Sequence, residues 1–501
     1  MARKANSKTR RGNKSKRKNG RKSAQRRRAK ETNADHFRKM LDWFLPNDGI
    51  FGHLKLHGNT SWLPRTLVCL ALCWSWAENK CVTDSFTYGV EWCRCLTSGS
   101  VLTTYQGMMN ALIRWTEPLM QILQGVMHKK MKQIGGEFWE IAGWVAIAFD
   151  GSRDSAPRTK ANEEAFCAPN YGQGKRAKYG KKKSKGMRRR KNEKNKSQPP
   201  IPQVWITLMW HVGLRLPWTW RLGPSNSSER DHVKEMICNE TFPKNTLFCG
   251  DAGFIGYPLW SLIMNSGFDL LVRVGGNVSL LSEQGFTVLK HNMTVLSWPK
   301  DAIKAGGRPL KLRLVRVKVG KADMWLLTSV LDKSKLNQKQ IRDVYAGRWG
   351  IEVEFRGLKQ TLDKAKLRCR TEERVKAELH WSLMAMAIAE LFALKEQLKL
   401  RRRSGPSPER VENPKKRSLA QTVRALRYCL THLQDVPETG AKLPKKLQQA
   451  VTDSYDRTAG KAARYKPPNP DKKPLGEPRI RKLNIDEKKK LKAISSNELV
   501  V

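Results

Sequence analysis

The sequence predicts a mixed α/β fold, in which a sheet flanked by helices follows a helical N-terminal region. Two short apolar runs, residues 144–149 (WVAIAF) and 204–210 (VWITLMW), have the length and composition of buried strands. From about residue 228 to 274 the pattern alternates between helix and strand. Strands followed by alternating helices and strands are typical of a mixed sheet covered by helices.

The composition is strongly cationic. The 501 residues include 96 Lys plus Arg and 45 Asp plus Glu, which gives a formal net charge of +51. Such a charge attracts polyanions, of which nucleic acid is the commonest, so we expect a nucleic-acid partner. An anionic membrane is the alternative, but the chain has neither a basic amphipathic anchor nor a lipidation motif to favour it. The most apolar long segment, residues 381–394, is too short to span a bilayer and predicts a core helix.

The ten cysteines are expected to be reduced, because the N-terminus is polar and basic rather than a secretory signal. Cys93 and Cys95 form a CxC motif, but there is no CxxC, so zinc binding is only weakly indicated.

Charge and apolar patterning divide the chain into four regions. Residues 1–34 form a basic arm that we expect to be disordered, since the first 30 residues hold fifteen Lys or Arg and no acid. Residues 35–140 are predicted to be helical, either as a DNA-binding module or as a plain helical bundle. Residues 141–400 form the α/β domain, and residues 401–501 a basic, partly disordered tail. Within the α/β domain we expect a basic surface loop (173–200), which is either a solvated insertion or a phosphate contact, and a β insertion (276–333).

Individual elements follow from local signals. Ser228 and Asp231 have the spacing of a capping box and predict a helix start. Residues 312–319 alternate apolar and basic side chains, which indicates a half-solvated strand. The other predicted strands are 218–222, 246–249, 270–274 and 324–330, and the other predicted helices are 98–115, 257–264, a long one from about Gln338, and 372–400.

Two aspartates follow predicted strands. Asp150 comes directly after the run 144–149, and Asp251 follows the strand 246–249 and Gly250. An acid at the C-terminal end of a buried strand is well placed to project into a crevice. Taken singly, an Asp beside a Gly at a strand end is more often a turn residue.

A third acid stands in the segment YAGRWGIEVEFRGLK, residues 345–359. On one helix, Tyr345, Arg348, Glu352 and Lys359 fall within a sector of roughly 60°, while Glu354 points to the opposite side. Arg and Lys beside one carboxylate suit a metal site next to bound phosphates. The alternative is a salt-bridged face on a surface helix.

The spacing of these four side chains resembles the YREK signature of transposases of insertion-sequence family four, and the resemblance covers roughly residues 140–400. It implies an RNase-H-like mixed sheet with a β insertion before the last catalytic helix. It also implies that Asp150, Asp251 and Glu352 are catalytic and bind two Mg²⁺ ions, for which Mn²⁺ substitutes. Tyr345, Arg348 and Lys359 would bind the phosphates of the transposon end.

The implied function is DNA transposition: binding the ends of an insertion sequence, cutting phosphodiester bonds with two metal ions, and joining the freed 3′-hydroxyls to target DNA. The expected partners are double-stranded DNA and a second copy of the chain, in the cytoplasm at the nucleoid. Trp298 and Trp325 are candidates for stacking on a flipped base, although a core position is the more frequent role of such residues. The alternatives are an inactive or repurposed DNA-binding relative, a metal-dependent nuclease without strand transfer, and a basic nucleic-acid-binding scaffold whose acids are structural.

Overall fold

The structure is a computed structural model, and it describes residues 30–167, 201–283, 292–319, 322–404, 413–452 and 476–498. The basic arm up to residue 29 and the predicted basic loop (173–200) lie outside the described residues.

Four α-helices precede the sheet in the part of the chain that the structure describes. The first begins with a capping box between Thr32 and Asp35. The fourth is 31 residues long and begins at Tyr105, where the Thr104 side chain accepts the Gly107 N–H. Its start is later than the predicted one at residue 98, because the residues before Thr104 are extended or bent. The four helices are α1 (Asn33–Phe44), α2 (Pro64–Trp76), α3 (Val82–Leu96) and α4 (Tyr105–Gly135).

The sheet has ten strands among the described residues, in the order β10-β6-β7-β8-β9-β5-β4-β1-β2-β3. Strands β1, β2 and β3 form an antiparallel meander, and β4 and β5 add to the other side of β1 in parallel. The strands are β1 (Val145–Ser155), β2 (Gln203–His211), β3 (Leu216–Gly223), β4 (Thr246–Gly250), β5 (Asp269–Val274), β6 (Ser279–Ser282), β7 (Asn292–Ser297), β8 (Leu310–Val319), β9 (Ala322–Thr328) and β10 (Arg479–Lys482).

The predicted β insertion is continuous with this sheet, because β9 pairs antiparallel with β5. Strand β8 is less solvated than its alternation suggested: the Arg313 side chain is buried and donates to the Leu336 carbonyl. Among the described residues, the helices that lie between strands are α5 (Lys160–Phe166), α6 (Glu229–Asn239), α7 (Tyr257–Asn265) and α8 (Lys300–Lys304).

Three helices after β9 complete the central part of the fold: α9 (Gln338–Gly347), α10 (Gly350–Arg356) and α11 (Glu372–Ser404). Helix α11 is 33 residues long, longer than its apolar centre, and packs against α2 and α4. Its stretch 372–399 meets the length and composition of a membrane span, but 94% of the most apolar window is buried inside the protein. It is therefore the core helix that the sequence predicted.

In the C-terminal region the structure describes residues 413–452 and 476–498. Helices α12 (Leu419–Thr431) and α13 (Leu443–Gln448) pack on α11, and the Gln397 side chain of α11 donates to the carbonyls of Leu447 and Ala450. The Arg417 side chain is buried, pairs with Glu390 of α11 and donates to the Leu214 carbonyl. Strand β10 pairs with β6, and α14 (Ile485–Glu498) follows it.

Candidate active site

Two of the candidate acids lie side by side at the centre of the sheet. The parallel pairing of β1 with β4 ends at Ala148 and Cys249, so Asp150 and Asp251 both stand just beyond it. Strand β1 does not stop at Asp150, as the apolar run predicted, because its pairing with β2 continues to Ser155. At Asp150, β1 is therefore still paired with β2 but no longer with β4. The separation of β1 from β4 opens a crevice beside the Asp150 side chain.

The third acid comes from a broken helix, so the prediction of one long helix from Gln338 is wrong. Helix α9 ends at Gly347, and Glu352 lies in the separate helix α10. Where the two helices meet, Gly350 lies so close to β2 that an added Cβ would be 2.1 Å from Cη2 of Trp210. Lys359 follows in a π-helical turn, residues 357–361.

Arg348 lies between two of the acids. Its Nη1 is 3.5 Å from Oδ2 of Asp150, and its Nη2 is 3.7 Å from Oε1 of Glu352. The side chain is only 11% exposed. Burial lowers the pKa of Arg348, but the neighbouring charges of Tyr345, Asp150, Asp251 and Glu352 outweigh it and raise the pKa overall. Arg348 therefore remains a cation among the acids.

The other two acids affect the pKa of Asp150. Burial raises the pKa of Asp150, and the charges of Asp251 and Glu352 raise it further, against the Gly151 N–H and Arg348, which lower it. The Gly151 N–H donates to Oδ1 of Asp150 at 2.8 Å, and the Gly253 N–H donates to Oδ1 of Asp251 at 2.7 Å. Three negative groups in one environment repel each other unless cations are present, which is the condition that favours metal binding.

Tyr345 belongs to this group. Its side chain is largely buried, its ring centroid is 5.5 Å from Cζ of Arg348, and burial raises the pKa of its hydroxyl. The ring therefore packs on the guanidinium that lies between Asp150 and Glu352.

Lys359 has a different neighbour from the one that the single-helix interpretation implied. Its Nζ donates to the Arg153 carbonyl at 2.9 Å and stands 3.4 Å from Oδ1 of Asp154. The Asp154 side chain is fully buried, and burial raises its pKa to about 6 despite the lysine. Sequence reasoning missed Asp154, although alternation along β1 puts it on the same face as Asp150.

Sequence reasoning also missed Glu229, the first residue of α6. Its carboxylate lies directly over Gly151, where an added Cβ would be 2.3 Å from Oε1. Burial and then the charges of Asp150 and Asp251 raise the pKa of Glu229 to about 7. The helix start predicted at Ser228 was a sequence signal that could have identified Glu229, because a carboxylate is favoured at the beginning of a helix.

Several other candidates have structural positions. Trp298 and Trp325 are buried, and Trp298 donates its indole N–H to the Gly307 carbonyl. His211 is buried and accepts the Leu214 N–H. Glu354 points away from Arg348 and is buried beside Glu390, where burial and the second carboxyl raise its pKa well above the usual range.

The side chains suit a hard divalent cation by their chemistry. Carboxylate oxygens are the ligands that Mg²⁺ prefers, and the absence of a side chain at Gly151 lets a further carboxylate approach Asp150. Across the residues that the structure describes, no three acidic, histidine or cysteine side chains form an already assembled metal-binding group. Instead, the guanidinium of Arg348 lies between Asp150 and Glu352.

Comparisons with known proteins concern the same region. Residues 145–388 match the family model described as a transposase DDE domain, and all six predicted site residues fall within this range. The chain is 26% identical over 208 residues to the transposase InsG for insertion sequence element IS4 of Escherichia coli (strain K12), a match that covers 40% of this chain and 46% of that protein. The chain thus spans about half the length of the curated relative that it matches.

Among solved structures, the chain is similar to one from a cryo-EM study of the piggyBac transposase synaptic complex with hairpin DNA. The TM-score is 0.38 with 11% identity, over 84% of this chain and 86% of the other. The family match, the related transposase and the YREK spacing agree with one another. The chain belongs to the DDE transposases of insertion-sequence family four.

Proposed function

We propose that the chain is an enzyme that binds the ends of an insertion sequence, hydrolyses phosphodiester bonds there with two divalent metal ions, and joins the freed 3′-hydroxyls to target DNA. One observation carries the proposal: Arg348 lies within 3.5 Å of Asp150 and 3.7 Å of Glu352, and the charge of Asp251 acts on the same guanidinium. Asp150 of β1 and Glu352 of α10 thus share one cation, and Asp251, which follows β4, contributes its charge to the same group, inside the transposase domain match.

We also propose that the core of the domain is RNase-H-like. The support is the strand order β3-β2-β1-β4-β5, in which the first three strands in sequence are antiparallel and β1, β4 and β5 are parallel. In this arrangement Asp150 and Asp251 occupy neighbouring strands at the carboxyl end of their parallel pairing, as a crevice for substrate requires.

Asp150, Asp251 and Glu352 are the side chains that would hold the metal ions, which we take to be Mg²⁺ with Mn²⁺ as a substitute. Two such ions would supply an activated water and balance the charge that develops on the attacking and leaving oxygens. Arg348 neutralises the acids while no ions or DNA are bound. Its planar guanidinium can donate two parallel hydrogen bonds and is therefore suited to bind a phosphate once DNA is present. Tyr345 packs on this guanidinium and limits where it can point.

Lys359 contributes a second positive charge on the same face. It is anchored by the Arg153 carbonyl and by Asp154, and the side chain remains about 31% exposed. An ammonium held in this way offers a point charge to a phosphate. The net charge of +51 supports DNA as the partner, and we propose that two copies hold the two ends together in the cytoplasm, at the nucleoid.

The test is to incubate the purified chain and Mg²⁺ with DNA that carries the element's own ends. We expect cut and joined products from the wild type, and binding without either product from Asp150→Asn, Asp251→Asn and Glu352→Gln. Asp343→Asn is the matched control, because Asp343 is exposed on α9 and pairs with neighbouring Arg342.

Each alternative predicts a different outcome. Cutting without joining would identify a metal-dependent nuclease. Binding without any metal-dependent product from the wild type would identify a repurposed relative or a DNA-binding scaffold. Unchanged products from any of the three acid variants would contradict the proposed metal site.

A further inference from the structure

Glu229 occupies a position that brings a fourth carboxylate to the proposed metal site. It is the first residue of α6, whose start is fixed by the Ser228 side chain accepting the Asp231 N–H. The next residue, Arg230, donates through Nε to the Gly253 carbonyl at 2.8 Å. Since Gly253 also donates its N–H to Asp251, the start of α6 is joined to the loop that presents that acid.

The carboxylate of Glu229 lies against β1, in the space that is left free because Gly151 has no side chain. A Cβ there would lie 2.3 Å from Oε1, 2.6 Å from Cδ and 2.8 Å from Cγ of Glu229. Contacts this short mean that the glutamate side chain fills the space that any other residue at position 151 would occupy. Gly151 directly follows Asp150, so the glutamate is brought down beside that acid.

The contacts of Glu229 with neighbouring side chains do not account for its position beside Asp150. Its side chain is half-buried, yet it forms no hydrogen bond or ion pair with a side chain in the part of the chain that the structure describes. The charges of Arg153 and Arg230 act on it, but so do the repulsive charges of Asp150 and Asp251. A half-buried carboxylate beside two other acids is unfavourable unless a cation joins them.

We propose that Glu229 is a fourth carboxylate ligand, which binds the divalent ion held between Asp150 and Asp251. This inference rests on the proposed metal-dependent function and adds a ligand to it. Oxygen-only coordination of a hard cation accommodates a further carboxylate readily. The glutamate would reach the ion from α6 and Glu352 from α10, so that ions bound at the site would link four separate segments of the chain.

Metal binding by the full-length protein tests the proposal without relying on activity. Mn²⁺ is titrated into the protein without DNA, and bound and free ion are separated by electron paramagnetic resonance. Glu229→Gln removes the charge and keeps the size of the side chain over Gly151. Gly151→Ala keeps the charge but pushes the carboxylate away from β1. Glu235→Gln is the control, because Glu235 lies on the same helix but pairs with Arg221.

We expect Glu229→Gln and Gly151→Ala each to weaken the tighter Mn²⁺ site by about 10- to 100-fold, the effect typical of a lost metal-site contact. The double variant should lose little more than either single one, because both changes remove one interaction. Glu235→Gln should bind as the wild type does. Wild-type affinity in Glu229→Gln would overturn the proposal.

The outcomes separate this proposal from the function on which it rests. If Asp150→Asn loses Mn²⁺ binding while Glu229→Gln retains it, the metal site stands and Glu229 is not a ligand. If the wild type binds no Mn²⁺, both proposals fail. If Glu229→Gln weakens binding only as much as Glu235→Gln does, the effect is one of overall charge, and the ligand assignment is wrong.

Discussion

Replacing the buried Asp154 by asparagine should make the protein more stable, and increasingly so as the pH rises. The side chain is fully buried, it pairs with Lys359 at 3.4 Å, and its pKa rises from 3.8 to about 6. An acid with a raised pKa stabilises the folded state only while it is protonated, so stability is lost as the pH rises from about 4 through about 6. At about 1.4 kcal/mol per pH unit, the loss above pH 7 is about 3 kcal/mol.

Asparagine keeps the size of the side chain and cannot ionise, so Asp154→Asn should not show this loss. The difference in the free energy of unfolding between variant and wild type should grow by about 2–3 kcal/mol from pH 4 to pH 8. Denaturant unfolding followed by circular dichroism at both pH values measures it. Asp343→Asn, at an exposed position, controls for the change in charge. A difference that is the same at both pH values would refute the reasoning.

Three further predictions concern other contacts. Replacing Arg348 by Met should lower the melting temperature in the absence of metal, and Mg²⁺ should raise it more in this variant than in the wild type, because the acids lose their cation. Arg417→Met should lower the free energy of unfolding by about 3–5 kcal/mol, since it leaves buried Glu390 unpaired; denaturant unfolding would show it, and a loss below 1 kcal/mol would contradict it. Gly350→Ala should cost about 1–3 kcal/mol in the same assay through its clash on β2, whereas Gly440→Ala, with open space around it, should cost much less.

The stability prediction for Asp154 has a counterpart in function, because the same carboxylate holds Lys359 in place. Asp154→Asn should therefore cut DNA ends less efficiently even though it is more stable. Raising the ionic strength should reduce the difference, since an ammonium acts on phosphate through screened charge. Cleavage rates at low and high salt measure this, and equal rates for variant and wild type would argue against a role for Lys359.

The parts of the fold that could be predicted from the sequence are those that depend on neighbouring residues. Strands β2 and β4 follow from short apolar runs, and the start of α6 follows from the capping side chain of Ser228. The position of Asp251 just beyond β4 follows in the same way. In each case the signal and the structure lie within a few residues of each other.

What could not be predicted depends on contacts between distant segments. At the break between α9 and α10, Gly350 lies against Trp210, on a strand about 140 residues earlier in the chain. The extension of β1 beyond Asp150 depends on its pairing with β2, and the site at Lys359 depends on the buried Asp154. The packing of residues 413–452 likewise depends on Arg417 and Gln397, whose partners lie on other elements.

The parallel pairing of β10 with β6 has a consequence for how the chain reaches its native state. The two strands are separated by roughly 200 residues, so the apolar strand β6 (SLLS) is the edge of the sheet until the basic strand β10 (RIRK) has been synthesised and covers it. An open edge is a template for association with other chains, and a ribosome-bound intermediate would expose the backbone of Ser279–Ser282 throughout this interval. Translation that stops before residue 479 would therefore yield a product prone to aggregate, which limits how far the C-terminus can be shortened.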